Sequence, residues 1–596
     1  MIRQDIRLPG GRLGTRAPLG QAGLPMRRTA LVAALLSCAG AVSAQSQAPT
    51  IPKIVDVEGG SPQAPGGDLV APAALPGGAN AAISSAPVAN GGSNAVAAPS
   101  VPPRSWVIEP SIITRVTSTN NALLEANGRS DTYLEVRPSL DFRSNGPRHH
   151  LKAMVGANYV DYTRDSYPRR KDPLANLALN TVLVQNALFL DAGGSVDLRS
   201  ASPYGAQAND STNPGQKVRT QAWNLSPYLQ MAPAEGYKAS LRSDNIWTRT
   251  SGAGINSALI GSNIDKSYSR NTLGRLEREP RPFGVGLELG EQMVRYNDFD
   301  NVLQLQNALL SLSYAIDPQF TLSVLGGAER NRFASVPGGP VTSQTDSDAG
   351  MRLRWTPLER STLTAEARRR FFGNSYNVEW NHRSPFLGLR VSATREPYSA
   401  PKTMLLNGDV ATQFDAIFRS RGFDTAQRDQ LVNDTLKAYN LKSTLDGPVN
   451  LLVNRAQLAS TANVELALLG RRTVTVLSAY TRRLEQLRRA DEPPAAFSIF
   501  DLADLKQTGW RAAVTFRLTP VVSLETDYRY DRAQGLGINS QQVTKGSLLL
   551  LGTGLSLSAR TRVILGAQYQ ELDTTTGGTD KSVHATSATV GMTHRF

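Results

Sequence analysis

The stretch Tyr133-Leu134-Glu135-Val136-Arg137-Pro138-Ser139-Leu140-Asp141-Phe142-Arg143 alternates between two kinds of side chain. A spacing of two sends alternate side chains to opposite faces of a β-strand. One face then carries charges, and the other carries Leu134, Val136, Pro138, Leu140 and Phe142. A strand of about 10 residues with one apolar and one charged face is typical of a membrane barrel, whereas strands of soluble sandwiches are shorter.

The same alternation recurs from Ser105 to the C-terminus, for example along 351–355, 510–518 and 523–531. Short connections alternate with longer ones, and the longer ones include 201–216, 398–449 and 572–581. This pattern predicts an all-β fold, a transmembrane antiparallel outer-membrane β-barrel of about 22 strands, within a range of 18 to 24. The division of 298–303 and 360–396 into strands stays open. An even strand number predicts that both termini are periplasmic.

Composition excludes several other classes of protein. The chain has 596 residues, with 64 Lys and Arg against 50 Asp and Glu, and a single Cys. One thiol cannot build a disulfide framework or a Cys-rich zinc site. The basic residues are interleaved with acidic ones, so nucleic acid is not an expected partner.

The N-terminal part predicts export. Residues 26–44 combine a basic start, a short apolar run and Val42-Ser43-Ala44, which is typical of a secretory signal peptide. The predicted signal and its N-terminal extension cover 1–44, with Met1 or Met26 as the start. Residues 45–103 are rich in Pro, Ala and Gly and predict a disordered periplasmic tether. The barrel then occupies 104–596.

The segment 398–449 interrupts the β pattern. Phe414, Ile417 and Phe418 share one helical face, and Gly422 can end that helix. Asp424 and Gln427 form a capping box for a second helix through Leu431 to Tyr439. Strand parity predicts that this helical hairpin lies on the outer side of the barrel. A lumen constriction is favoured over a solvated loop, because a barrel this wide cannot be filled by its own side chains.

The last strand carries a predicted assembly signal. It ends on an aromatic residue, and its apolar face includes Val590, Met592 and Phe596. Such a terminus is typical of clients of the barrel-assembly machinery. Aromatic residues near other strand ends are candidates for the interfacial girdles: Trp106, Tyr228, Trp247, Trp355, Tyr480 and Trp510.

The charged face is predicted to line the lumen. Its candidate residues are Arg137, Arg143, Arg352, Arg354, Arg390, Arg511, Arg517 and Arg529. Acidic residues alternate with them, so one interpretation is a ladder of cross-strand ion pairs that stiffens the wall. The other is a mildly basic channel that concentrates anionic solutes or acidic polysaccharide.

No motif of known catalytic chemistry occurs in the sequence. It contains no HExxH, no phosphate-binding glycine loop and no GxSxG elbow. Asp161, Asp165 and His382 are the candidates for an enzymatic site in the wall, but solvated loop or turn positions explain them better. The sequence therefore predicts no enzyme, no metal site and no cofactor.

Several stretches resemble a known family. Ser105-Trp106-Val107-Ile108-Glu109-Pro110, Val136-Arg137-Pro138, 355–360 and 370–376 are similar to the outer-membrane β-barrel proteins associated with PEP-CTERM/exosortase systems. The resemblance covers about 104–596, and its motifs are short. It implies a role beside exopolysaccharide production or surface-protein sorting in Gram-negative bacteria, and it brings no catalytic residues.

Together these observations favour a porin-like or exopolysaccharide-export channel gated by the insert. The expected partners are outer-membrane lipid, the barrel-assembly machinery and exopolysaccharide or envelope export components. A non-conducting scaffold for an envelope assembly is the first alternative, and a barrel enzyme is the second.

Overall fold

The structure is a computed structural model. It describes residues 106–200, 204, 217–251, 266–296, 299–333, 341–398, 410–423, 425–439, 441, 456–491 and 504–596. These residues belong to the compact unit Pro62–Phe596. The predicted signal (1–44) and tether (45–103) lie outside the described residues.

The fold is a closed antiparallel outer-membrane β-barrel of 22 strands, the predicted number. The strands are β1 Trp106–Thr119, β2 Asp131–Asn145, β3 His149–Tyr162, β4 Arg170–Val184, β5 Leu188–Ser200, β6 Lys217–Met231, β7 Tyr237–Ser251, β8 Lys266–Arg278, β9 Phe283–Tyr296, β10 Phe299–Asp317, β11 Phe320–Phe333, β12 Thr342–Leu358, β13 Ser361–Arg370, β14 Gly373–Arg383, β15 Leu387–Pro397, β16 Gln457–Leu469, β17 Thr473–Gln486, β18 Leu505–Arg517, β19 Val522–Gly535, β20 Val543–Ser556, β21 Thr561–Thr576 and β22 Thr579–Arg595.

Each strand pairs with the next along the chain, and β22 closes the ring on β1. In this last pair Ser111 faces Arg595, and Val116 faces Val590. The amide of Phe596 donates to the carbonyl of Pro110 at 3.1 Å. Closure leaves no strand with unpaired backbone groups at an open edge, which is what a strand in lipid requires.

The two faces of each strand differ as the alternation predicts. On β2, Leu134 is 43% exposed, while Glu135 and Arg137 are 3% and 4% exposed. The apolar side chains therefore point away from the barrel, and the charged ones point into the lumen. This reversal of the usual soluble pattern is expected when the outer surface meets lipid.

The two ends of the barrel have different connections. At the end where β1 begins and β2 ends, every connection has five residues or fewer, and we call this the short-turn end. The opposite end carries the long connections, including the one between β15 and β16. We call it the long-loop end.

Some predicted connections need correction. The expected long connection 572–581 is a turn of two residues, Gly577 and Gly578, whose φ angles are +59° and +83°. Glycine suits this turn because it reaches positive φ without steric cost. Residues 361–397 form three strands, β13 to β15, and β10 begins at Phe299.

The predicted helical hairpin is present in the 398–449 insert. We number its helices α1, Val410–Ser420, and α2, Thr425–Ala438. Gly422 follows α1 with a φ of +87°, as expected for a helix end. Asp424, half of the expected capping box, lies outside the described residues. Among the described residues, no helix has the length and apolar character to cross a bilayer.

Four of the six girdle candidates are exposed on the barrel exterior: Trp106, Trp247, Trp355 and Trp510. Tyr228 and Tyr480 point into the lumen instead. Tyr228 lies between the Phe189 ring and the Arg242 guanidinium, and the Tyr480 hydroxyl donates to Asp531 at 2.7 Å. Tyr480 shares the inner face of β17 with Arg482, and Tyr228 shares the inner face of β6 with Asn224 and Ser226, so position near a strand end alone did not identify girdle residues.

Candidate functional site

The hairpin formed by α1 and α2 packs against the inner wall of the barrel through one apolar face. Val410, Phe414, Ile417 and Phe418 recur at helical spacing, and Phe414 and Ile417 have no exposed surface. They form a cluster with side chains of α2 and the wall: Val432, Leu436, Ala438, Tyr439, Leu441, Ala467, Leu469, Val474, Val476 and Ala513. The wall residues belong to β16, β17 and β18, so α1 is anchored by apolar burial.

The turn between the helices reaches the short-turn end of the barrel. Arg421 donates to the carbonyl of Pro385, in the turn between β14 and β15, at 2.7 Å. Its guanidinium also lies 5.5 Å from the centroid of the Phe386 ring. Burial lowers the pKa of Arg421, but a guanidinium remains charged at neutral pH. This contact fixes the depth of the hairpin.

The second helix is attached to the wall by charged groups. The Lys437 ammonium contacts the Glu109 carboxylate on β1, and Glu109 also accepts from Arg143 on β2 at 2.5 Å. Asp429 accepts from the Lys152 ammonium on β3 at 3.1 Å. These contacts to β1 and β3 lie close to the short turns. The side of α2 that faces β1 to β3 is therefore held by ion pairs.

Burial changes the titration of two groups on α2. It lowers the pKa of Lys437, and the neighbouring positive charges of Arg143 and Arg595 act in the same direction. It raises the pKa of Asp434 above its ordinary value, although Lys437 and Arg143 oppose that change. Desolvation disfavours the charged form of each group, so this attachment is less favourable than a count of opposite charges would indicate.

After α2 the chain returns to β18. The Thr515 hydroxyl donates to the carbonyl of Tyr439 at 3.0 Å, and the Arg517 guanidinium lies 4.2 Å from the Tyr439 ring centroid. The hairpin thus contacts two separate arcs of the closed barrel, β14 to β18 and β1 to β3. It crosses the lumen at the short-turn end.

This location corrects the prediction that the hairpin lies on the outer, long-loop side of the barrel. The insert leaves from the long-loop end, as strand parity predicts, but the helices lie at the opposite end of the lumen. Residues 398–409 separate β15 from α1, and 12 residues can span about 40 Å when extended. Counting strands determines the end of the barrel from which an insert begins. It does not determine how far along the lumen the inserted chain then extends.

A second group of buried apolar residues lies at the long-loop end. It consists of Val294, Tyr296, Leu303, Leu305, Phe333, Phe371, Phe372, Leu458 and Leu487. The amide of Ala490 donates to the carbonyl of Phe371 at 2.8 Å, and Arg489 donates to Asn331 at 2.7 Å. The chain leaving β17 therefore packs against β11 and the β13–β14 turn.

Most of the predicted lumen arginines contact carboxylates on the same inner face. The pairs are Arg137 with Glu135 at 2.7 Å, Arg143 with Glu109 at 2.5 Å, Arg352 with Glu366 at 2.7 Å, Arg390 with Glu379 at 3.0 Å, Arg511 with Asp527 at 2.5 Å and Arg529 with Asp531 at 2.5 Å. Arg517 contacts Tyr439, and Arg354 is exposed. The geometry favours the ion-pair ladder over a uniformly basic surface, because these pairs offset much of the positive charge.

The structure does not bring the enzymatic candidates together. Asp161 and Asp165 lie at the long-loop end, where Asp161 pairs with Arg169 at 2.9 Å. His382 is near the short-turn end of β14, on the face that carries Trp380. Within the part of the chain that the structure describes, no group of His, Cys, Asp and Glu could hold a metal ion.

The predicted assembly residues lie on the lipid-facing side of the last strand. Val590, Met592 and Phe596 are all exposed, and the Phe596 ring contacts His594 edge to face. No sequence pattern indicated that Glu109, Lys152, Asp429 and Lys437 form a group. Glu109 and Lys437 are 328 residues apart, and only the depth of the hairpin brings them into contact.

Comparison with known proteins agrees with a porin-like outer-membrane barrel. Residues 104–237 match the family described as "Putative beta-barrel porin 2". No curated protein sequence matches the chain.

Solved structures similar to the chain include outer-membrane proteins of three bacteria. The FrpB iron transporter from Neisseria meningitidis, F5-1 variant, has a TM-score of 0.41 and 8% identity, covering 82% of each chain. The siderophore receptor PirA from Pseudomonas aeruginosa has a TM-score of 0.31 and 11% identity, covering 82% of this chain and 80% of its own. In-vitro folded OmpT, an outer membrane protein of Vibrio cholerae, has a TM-score of 0.26 and 11% identity, with coverage of 83% and 98%.

Proposed function

We propose that this protein is a channel for hydrophilic solutes across the outer membrane, narrowed at its short-turn end by the α1–α2 hairpin. The observation that carries the proposal is the hairpin itself, which contacts two separate arcs of a polar inner wall. A lumen lined by charged side chains is compatible with water, and a barrel of 22 strands leaves a wide lumen unless something occupies it. The hairpin would then set the size and the opening of the channel.

Orientation and partners form part of the same proposal. The short-turn end would face the periplasm, as in bacterial barrels of this type. Both termini would then be periplasmic, and the segment 45–103 would act there as a tether. The terminal residues Val590, Met592 and Phe596 would present the signal that the barrel-assembly machinery reads.

The solute we propose is an exopolysaccharide or a fragment of one. The support is the resemblance of residues 104–596 to barrels associated with PEP-CTERM/exosortase systems, together with an inner wall rich in arginine. Export components of the envelope would be the partners.

A direct test is liposome swelling with a size series of neutral oligosaccharides and a matched series of uronic-acid oligosaccharides. If neither series of oligosaccharides enters the liposomes, the assignment of the solute is contradicted.

Planar-bilayer conductance tests the channel itself. The chain lacking residues 1–44 would be refolded and compared with a variant in which 398–449 is replaced by a short Gly/Ser linker. We expect small or intermittent currents from the first and large steady currents from the second. Circular dichroism must show β structure in both. If both folded proteins are silent, the channel proposal fails.

A non-conducting scaffold is the rival function. The inner wall carries many ion pairs, which stiffen a barrel, and the hairpin occupies part of its lumen. A scaffold would remain silent in bilayers with or without the insert, yet would still be retained with envelope components after cross-linking in cells. Conductance of the insert-deleted barrel therefore separates the two functions.

A further inference from the structure

Arg354 differs from the other predicted lumen arginines in its surroundings. It lies next to Trp355, which is exposed on the barrel exterior, so alternation along β12 directs Arg354 into the lumen, where it is exposed. Among the residues that the structure describes, no carboxylate lies within ion-pair distance of Arg354. Arg352, two positions away, pairs with Glu366 at 2.7 Å and with Glu288 at 3.2 Å. The wall therefore offsets the charge of Arg352 and leaves that of Arg354.

The strand register explains this difference. Arg354 lies between Thr321 on β11 and Thr364 on β13. The next residue in the same row is Glu379 on β14, and it pairs with Arg390 at 3.0 Å. Glu379 is two strands away from Arg354, which is about 10 Å between their backbones. Register thus places hydroxyl groups, and no acid, directly beside Arg354.

Arg354 lies at the depth of the hairpin. Leu358, the last residue of β12, is four positions from Arg354, and Trp106, the first residue of β1, is three positions from Glu109, which contacts Lys437. The contacts that hold the hairpin involve β14 to β18 and β1 to β3. The arc from β4 to β13 is then the wall of the passage beside the hairpin. A solute that passes the hairpin would pass along this arc.

The groups around Arg354 suit an acidic sugar. An exposed guanidinium offers paired N–H groups that match the two oxygens of a carboxylate. The hydroxyls of Thr321 and Thr364 can accept hydrogen bonds from sugar hydroxyls. Further hydroxyls follow on the neighbouring strands, where the Ser313 and Ser323 oxygens are 2.7 Å apart. A neutral sugar could use the hydroxyls alone, so it would gain nothing from the guanidinium.

We propose that Arg354 is a specificity-determining residue of the passage and binds the carboxylate of an acidic polysaccharide, of the uronic-acid type, beside the hairpin. This inference rests on the proposed function and narrows it, because it selects acidic chains among exopolysaccharides. The other seven candidate arginines contact wall carboxylates or Tyr439. They stiffen the wall, whereas Arg354 reads the solute.

The test measures binding separately from conduction. The refolded chain lacking residues 1–44 is titrated calorimetrically, in a neutral detergent and 0.15 M salt, with a uronic-acid tetrasaccharide or with a neutral tetrasaccharide. Arg354→Gln removes the charge, and Arg354→Lys keeps the charge without the paired geometry. Arg360→Gln is the matched control. It removes one exposed arginine from the short turn that follows β12, about 20 Å along the chain from Arg354, which exceeds the screening length of about 8 Å.

We expect the unmodified barrel and Arg360→Gln to bind the uronic-acid tetrasaccharide equally. Arg354→Gln should bind it at least about tenfold more weakly, as expected for the loss of a charged hydrogen bond, and Arg354→Lys should be intermediate. The neutral tetrasaccharide should bind weakly and to the same extent in every variant. Circular dichroism establishes that each variant has folded.

Two results would overturn the inference. One is binding of the uronic-acid tetrasaccharide by Arg354→Gln as tight as by Arg360→Gln, which would exclude Arg354 as its site. The other is equally tight binding of the neutral tetrasaccharide by the unmodified barrel, which would exclude selection of acidic sugars. In planar bilayers the bound tetrasaccharide should block the current. Binding that depends on Arg354 in a barrel without current would support the site and contradict the channel.

Discussion

The two attachments of the hairpin differ in chemistry. The α1 side is held by side chains without exposed surface, such as Phe414 and Ile417, against β16 to β18. The α2 side is held against β1 and β3 by Lys437 with Glu109 and by Asp429 with Lys152. Apolar burial is hardly affected by salt. Partly exposed ion pairs are weakened by salt and by protonation of their carboxylates at low pH. The α1 side should therefore remain in place while the α2 side releases first.

The largest effect should come from the apolar attachment. Replacing Phe414 and Ile417 by Ala removes two fully buried side chains, each worth roughly 2–5 kcal/mol. The hairpin should then leave the wall, and single-channel conductance should approach that of the barrel lacking 398–449. Phe423→Ala is the control, because Phe423 is 37% exposed. A double variant that conducts like the unmodified protein would contradict a difference between the two attachments.

A smaller effect is expected from Lys437→Met. This change removes one charged hydrogen bond, about 1.5–3 kcal/mol, while Glu109 keeps its bond to Arg143. Single-channel recordings should show brief openings from a mostly closed state. Lys437→Arg keeps the charge and should close normally. Openings as long as those of the Phe414 and Ile417 variant would place the principal anchor on α2 instead.

Asp429→Asn should have a weaker effect still. The Lys152 side chain is 43% exposed, and such exposed pairs contribute about 0–1 kcal/mol. Opening frequency should rise by no more than about fivefold. In 1 M KCl the variant and the unmodified protein should converge, since the screening length falls to about 3 Å. A difference that persists at high salt would argue against an ionic contact.

The smallest effect concerns pH. Burial raises the pKa of Asp434 above its ordinary value of 3.8, so the docked hairpin binds a proton more tightly than the released one. Docking therefore takes up protons in the window just above 3.8, and lowering the pH toward that window favours the docked state. Protonation of Glu109 acts in the opposite direction, because it weakens the pair with Lys437. The Asp434 contribution is therefore the part of the pH dependence of the closed fraction that Asp434→Asn removes. An unchanged pH profile in Asp434→Asn would rule out Asp434 as its source.

Local pattern was enough to predict the barrel and the helices of the insert. The alternation along β2 and the helical spacing of Phe414, Ile417 and Phe418 each depend on near neighbours in the chain. The expected loop at 572–581 was wrong because residues 573–576 of β21 and 579–582 of β22 are polar on both faces. A strand that extends beyond the bilayer has no apolar face to reveal it, so its residues resemble a loop.

The functional contacts could not be predicted in the same way. The pairing of Lys437 with Glu109 joins α2 to the first strand, and nothing near either residue indicates the other. Its existence depends on how deep the insert reaches, which strand parity does not determine. The lumen arginines were easier to predict, because the period-two pattern of each strand determines which side chains point inward. Their pairing with carboxylates depends on register between strands.

The most direct test of a hairpin across the short-turn end is a reversible cross-link between α2 and β1. The chain lacking 1–44 has no thiol, since the single Cys is Cys38, so the Glu109→Cys, Lys437→Cys variant has only the two new ones. A reducible bis-maleimide should join them and hold the channel closed even in 1 M KCl, and cleavage of the linker should restore openings. Failure to cross-link, or full conductance with the link in place, would contradict a hairpin that spans and closes the lumen.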